Sequence, residues 1–195
     1  MSAPVSPEAL AGRLEARIRH LAVGAQATAG WPRVLFIDGR SGSGKTSLAE
    51  TLATARVAGG AERPRIVGMD EIYPGWDGLA AGSAMVPELL RTGRYRRYDW
   101  YSESFTPEVT LEPGGSLIVE GCGSVSGEAL AVARALGSVY TLWVECPDEL
   151  RRERALARDG ETFIPHWERW AAQEVTHFAR TRPLARANEV VHVGR

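Results

Sequence analysis

The residues Gly39-Arg40-Ser41-Gly42-Ser43-Gly44-Lys45-Thr46 satisfy the pattern G-x-x-x-x-G-K-[ST] at every fixed position. An apolar run ending at Asp38 leads into them, and an amphipathic stretch beginning near Lys45 leads out. Few folds accommodate that context. A strand must end where a helix begins, and the backbone between them must bend until its N–H groups converge. Glycines supply the angles, and the converging amides form a nest for anionic oxygens. The helix start adds the positive end of its dipole. In such a loop the lysine reaches the β- and γ-phosphates of a nucleotide, and the next hydroxyl ligates Mg²⁺. The expected nucleotide-binding set is Gly39, Ser41, Gly42, Ser43, Gly44, Lys45, Thr46 and Ser47, with ATP and Mg²⁺ as cofactors. Nothing in the motif separates ATP from GTP.

Lys45 carries a second signal. The chain has 23 basic residues, and every one but Lys45 is arginine. Guanidinium is a wide planar fork, whereas ammonium is a point charge that fits inside a tight nest. Lysine is kept where the fork has no room.

The rest of the chain extends the same architecture. Short apolar runs recur at 34–38, 65–69, 116–120, 139–146 and 189–193. Helical patterns lie between them at Thr46–Arg56, Val86–Arg91, Glu128–Leu136, Asp148–Arg158 and about 165–180. Apolar strands alternating with helices predict a five-stranded parallel sheet covered on both faces, a three-layer α/β/α sandwich. Ahead of it, Ser6 is placed to cap a helix with Pro7 at its first position, and Leu10, Leu14, Ile18 and Leu21 form one apolar stripe. Residues 1–30 are therefore expected to be a helix and linker packed on a single domain, 31–195. Two stretches exceed simple alternation: an aromatic-rich excursion over about 70–116, and an arginine-rich helical segment whose first part, about 148–165, is expected to be a lid.

Composition excludes several classes. A 195-residue chain with 44% hydrophobic and 24% charged residues suits one soluble domain. A net charge of −1 argues against nucleic acid as a partner. No apolar run approaches the ~20 residues that span a bilayer, and the N-terminal residues lack a secretory pattern, so a cytoplasmic protein without a membrane partner is expected. Cys122 and Cys146 form no CxxC pair, and His20, His166, His177 and His192 show no metal-ligand spacing. Homo-oligomerisation stays open.

Three groups of residues could run chemistry. Asp70, just past a strand end, can hold metal-bound water or accept a proton from an attacking hydroxyl; its neighbour Glu71 reads as a supporting group. Glu120 closes the strand "SLIVE", where an acidic residue partners the loop hydroxyl on Mg²⁺. Arg151, Arg154 and Arg158 recur along one predicted helix face and could stabilise charge on a transferring phosphoryl group. In "GRYRRYDWYSESF", rings beside Asp99 suit a planar or sugar-bearing acceptor, with a packed aromatic cluster as the alternative.

Taken together, "GRSGSGKTSLA", "MDEIYPGWDGL", "ELLRTGRYRRYDW", "LIVEG", "RALARD" and "ANEVVHV" occur in the order and near-spacing of uridine kinases. The chain resembles that nucleoside-kinase-like branch of the P-loop kinases. The resemblance implies strand order 2-3-1-4-5 and ATP-dependent phosphorylation of a hydroxyl on a nucleoside or similar small acceptor. It implies Asp70 as base and metal-shell residue with Thr46 and Glu120, Asp77 and Tyr98 beside the acceptor, and Arg154 and Arg158 in the lid. Where the family places a pyrimidine-contacting histidine, this chain has Glu103, and "RDGETF" replaces the family's arginine-glycine-arginine run. The competing function is a nucleotide-dependent regulatory ATPase acting on a protein partner.

Overall fold

The structure, a computed structural model, describes residues 7–21 and 31–194. The expected Ser6 cap and the linker through residue 30 lie outside them. Five parallel strands form the main sheet: β1 (Arg33–Gly39), β2 (Arg65–Gly68), β5 (Ser116–Glu120), β6 (Ser138–Glu145) and β7 (Glu189–His192). Their order is β2-β5-β1-β6-β7. Counting only these five, that is 2-3-1-4-5, as the resemblance implied. The difference from expectation is an inserted antiparallel hairpin, β3 (Arg94–Asp99) with β4 (Ser104–Thr110), inside the excursion.

Alternation along β1 explains the layers. Val34 and Phe36 enter a cluster with Val86, Leu89 and Leu90 of α3 (Leu79–Thr92) and with Ala129 and Leu130 of α4 (Gly127–Leu136). Leu35 and Ile37 point the other way, onto Leu48, Ala49 and Leu52 of α2 (Lys45–Ala58) and Ala11 and Leu14 of α1 (Pro7–Leu21). A strand buried on both faces needs apolar side chains at every position, which is why it reads as a continuous run. The N-terminal helix α1 is tied to the body by Arg56–Glu15 at 2.9 Å and by Arg13 and Arg17 on Glu189.

Register places the chemistry. Ile37 pairs with Glu120, and Glu120 pairs with Gly68, so β1, β5 and β2 end together. The phosphate loop, Glu120 and the turn carrying Asp70 therefore share the carboxyl edge of the sheet, where open α/β sheets bind ligands. Over that edge lie α5 (Asp148–Phe163), which breaks at Gly160 (φ 54, ψ −136), and α6 (Trp167–Thr181). A four-residue α7 (Pro183–Arg186) leads into β7.

Candidate active site

Loop 39–44 is shaped by its glycines. Gly42 and Gly44 have φ of 78° and 95°, a region that L side chains rarely adopt. At Gly42 a Cβ would stand 1.9 Å from the Arg151 carbonyl oxygen, so α5 packs directly on the loop. No side chain caps the start of α2, and Gly44, Lys45, Thr46 and Ser47 line a cavity of about 160 Å³ there. Helix-start amides without a protein acceptor suit an anion.

Lys45 is 7% exposed and donates to the Arg40 carbonyl at 2.9 Å, with Cys122 Sγ at 3.7 Å. Burial alone would lower its pKa, but Cys122, Glu120, Glu174 and Asp70 around it hold the ammonium above its ordinary value. It is charged at any physiological pH. Beneath the loop, Asp38 accepts from the amides of Gly39, Gly123 and Val125 at 2.7, 3.0 and 2.9 Å. These three bonds stiffen the turn. Burial raises its carboxyl to about 7 against those three hydrogen bonds.

Thr46 Oγ1 donates to Glu120 Oε1 at 3.0 Å, and Glu120 lines the same cavity as Asp70. Burial raises both carboxyls, opposed chiefly by the Lys45 charge. A hydroxyl and two carboxylates make an all-oxygen donor set next to an anion cradle. That fits Mg²⁺, which takes one or two carboxylates and leaves its other positions to water and phosphate oxygens. Among the described residues no group of three or more His, Cys, Asp or Glu gathers as a self-sufficient metal site.

Asp70 is held by the hairpin. Trp100 Nε1 donates to the Asp70 carbonyl at 2.8 Å, while neighbouring Glu71 accepts from Tyr95 OH at 3.0 Å and pairs with Arg97 at 2.7 Å. Beyond Asp70 opens a second cavity of about 440 Å³. Its aromatic wall comes from separate parts of the chain: Tyr73 and Trp76 after β2, Trp100 at the hairpin, Phe163 and Trp170 in the helical segment. Trp76 rests against Trp100 at 4.8 Å and stacks on Phe163 at 5.3 Å and on His166 at 4.3 Å between centroids. Ser41, Asp70 and Arg158 line both cavities.

The structure thus gathers Ser41, Gly42, Gly44, Lys45, Thr46, Ser47, Asp70, Glu120, Arg154 and Arg158 around one cavity. Gly39 and Ser43 shape the loop from below. Four residues expected at the acceptor, Asp77, Tyr98, Asp99 and Glu103, line neither cavity. Asp77 pairs with Arg169 on the surface. Asp99 accepts from Tyr101 N and Ser102 Oγ and closes the hairpin turn, which also contains Glu103 at φ 49°. Tyr98 packs edge-on against Trp100 and Phe105, behind the wall.

Sequence reasoning missed Glu174 and misplaced Arg151. Glu174 on α6 is fully buried; it accepts from Ser41 N at 2.7 Å and lies 3.7 Å from Arg151. Arg151 is itself buried, its guanidinium over the Trp167 ring and its carbonyl against Gly42, so it packs on the loop. The sequence signal for Glu174 was a charge within an apolar stripe: Trp167, Trp170, Glu174 and His177 are the buried face of α6.

No protein-family model matches the sequence, and no curated protein matches it. Solved structures do. A possible uridine kinase from Bacillus stearothermophilus superposes with TM-score 0.54 at 22% identity, covering 92% of this chain and 99% of that one. A candidate fructose transport system kinase from Silicibacter sp. TM1040 superposes with TM-score 0.56 at 18% identity, covering 96% and 99%. The chain has a P-loop kinase fold. Within that fold the carboxyl edge of the sheet, the phosphate loop and the helical segment above it occupy one contiguous site.

Proposed function

We propose that this protein is an ATP-dependent phosphotransferase that moves the γ-phosphoryl group to a hydroxyl of a small acceptor of nucleoside-like size and shape. One observation carries the reading. The phosphate-loop cavity and the aromatic cavity meet at Ser41, Asp70 and Arg158, so one carboxylate and one guanidinium stand where a donor phosphate and an acceptor hydroxyl would come together.

The residues divide the work by their chemistry. Lys45 and the amides of the loop and helix start neutralise and seat the β- and γ-phosphates. Thr46, Glu120 and Asp70 would hold Mg²⁺, which supplies charge neutralisation across the β- and γ-phosphates. Asp70 orients the acceptor O–H and takes its proton as the acceptor oxygen bonds to the γ-phosphorus. The bond to the β,γ-bridging oxygen then breaks, and ADP leaves with that electron pair. Arg158 offsets charge on the transferring group, with Arg154 beside it in the cavity. The rings opposite exclude water, which would otherwise compete as acceptor.

A panel of nucleosides and other hydroxyl metabolites scored for ADP release above background tests the reading. Lys45→Ala should abolish nucleotide binding. Asp70→Asn should leave ATP affinity within about threefold while acceptor-dependent turnover falls ~10²-fold or more. Normal turnover in Lys45→Ala would remove the reading altogether, whereas stimulation by a protein partner with no response to any acceptor would replace it with that of a regulatory ATPase.

A further inference from the structure

We infer that the aromatic cleft accepts uncharged or ammonium-bearing alcohols and turns away anionic ones, with Asp159 as the residue that sets this restriction. The inference rests on the phosphotransferase reading and concerns which acceptors that site takes.

The charged residues lining the cleft are Asp70, Asp159 and Arg158, two negative against one positive. Arg158 is committed: its Nε and Nη2 donate to the two Asp159 oxygens at 2.8 and 2.7 Å. The arginines that flank the lining are committed too, Arg97 to Glu71 and Arg169 to Asp77. Among the described residues in and around the cleft, each of these guanidiniums already has a carboxylate. A carboxylate or phosphate on the acceptor would have to detach one of them while entering a cleft of net negative charge.

Catalysis sharpens the contrast. When Arg158 turns toward a transferring phosphoryl group, Asp159 loses its partner and needs a donor. A hydroxyl or ammonium of the acceptor can supply one; an anion cannot. The wall agrees with this, because its aromatic side chains carry no charge to meet an anion and suit neutral planar groups.

The test compares acceptors of one skeleton that differ in charge (uridine, 5-aminomethyluridine and orotidine) within a wider library of hydroxyl metabolites sorted by charge. Two readouts are taken: acceptor-dependent ADP release, and quenching of tryptophan fluorescence without nucleotide. The productive acceptors should be uncharged or cationic, with anionic counterparts at least ~100-fold lower in kcat/KM. Added salt should narrow that gap, because screening weakens charge exclusion. Asp159→Asn should narrow it at least ~10-fold by freeing Arg158 for an anion. An anionic alcohol as the preferred acceptor overturns the inference and leaves the kinase reading standing. A gap unchanged by salt and by Asp159→Asn overturns the charge argument. No productive acceptor of any charge, with ATP bound, overturns the kinase reading and the inference with it.

Discussion

A carboxylate with no solvent contact needs compensation for lost hydration, and Glu174 finds it in three directions. Its Oε1 takes the Ser41 amide at 2.7 Å and lies 3.4 Å from the Cys122 thiol, and the Arg151 guanidinium lies 3.7 Å from Oε2. These contacts fix Ser41, one of the three residues that line both cavities. Glu174→Gln keeps an oxygen for Ser41 N, so its KM for ATP and its kcat should stay within about fivefold of the parent. Glu174→Ala leaves the Ser41 amide without its acceptor and removes the buried charge facing Arg151, which keeps only Asp148 at 2.7 Å, and kcat should fall at least ~10-fold with a smaller change in KM. Steady-state kinetics beside thermal melts decide the matter: equal losses in both variants that track melting temperature would make Glu174 a packing residue only. Glu174 also shows where sequence reading stops. Lys45 and Thr46 stand in one contiguous motif, Asp70 comes just past a strand end and Glu120 closes one, so local pattern singled out four residues that line one cavity. Glu174 meets Ser41 across 133 positions, and only the tertiary packing of α6 brings it there.

The central strands β1, β5 and β6 were legible because burial on both faces leaves an unmistakable apolar run, the edge strands β2 and β7 by their short β-branched runs, and the core helices because their stripes recur. The hairpin was not. Its register shifts between Arg96 and Tyr98, which breaks the alternation a strand would otherwise show, and its exposed arginines and Pro107 read as loop. Between β2 and β5 the chain makes α3 and this hairpin, and the hairpin anchors the turn that carries Asp70. Helix α3 begins seven residues before its predicted start, because Gly82 and Pro87 weaken the local helical signal while Val86, Leu89 and Leu90 bury against the sheet. At the junction of α5 with the phosphate loop, two glycines separate strain from crowding. Gly44→Ala meets open space and bears backbone strain alone, about 1–2 kcal/mol. Gly42→Ala adds a clash with the Arg151 carbonyl, which belongs to helix backbone and cannot swing away. Gly42→Ala should therefore melt several degrees below Gly44→Ala without ligand. Equal melting temperatures would show that α5 shifts freely relative to the loop.

Across the whole molecule, α6 is pressed onto the loop that follows β5, and the contact is titratable. A Cβ on Gly123 would stand 2.9 Å from His177 Nε2, and that buried nitrogen has no hydrogen-bond partner. Burial, aided by the Arg180 charge, lowers the His177 pKa from 6.5 to about 4. Asp38, under the same loop, moves the opposite way, to about 7. The signs follow from proton counts in the folded and unfolded states. His177 contributes stability above pH 6.5 that is lost as pH falls through about 4, because the unfolded chain binds a proton the fold refuses. Asp38 contributes stability at low pH that is lost as pH rises through about 7, because the fold keeps a proton the unfolded chain releases. Between these limits the two oppose each other, and removing one should expose the other. His177→Leu should lose stability relative to the parent as pH rises from 4 to 6.5, by at most about 3 kcal/mol at one pKa unit per 1.36 kcal/mol. Denaturant titrations at half-unit pH steps measure the difference directly. Parallel profiles for variant and parent would mean that His177 carries its ordinary proton in the folded protein, and that α6 opens far enough from Gly123 to let water reach the ring.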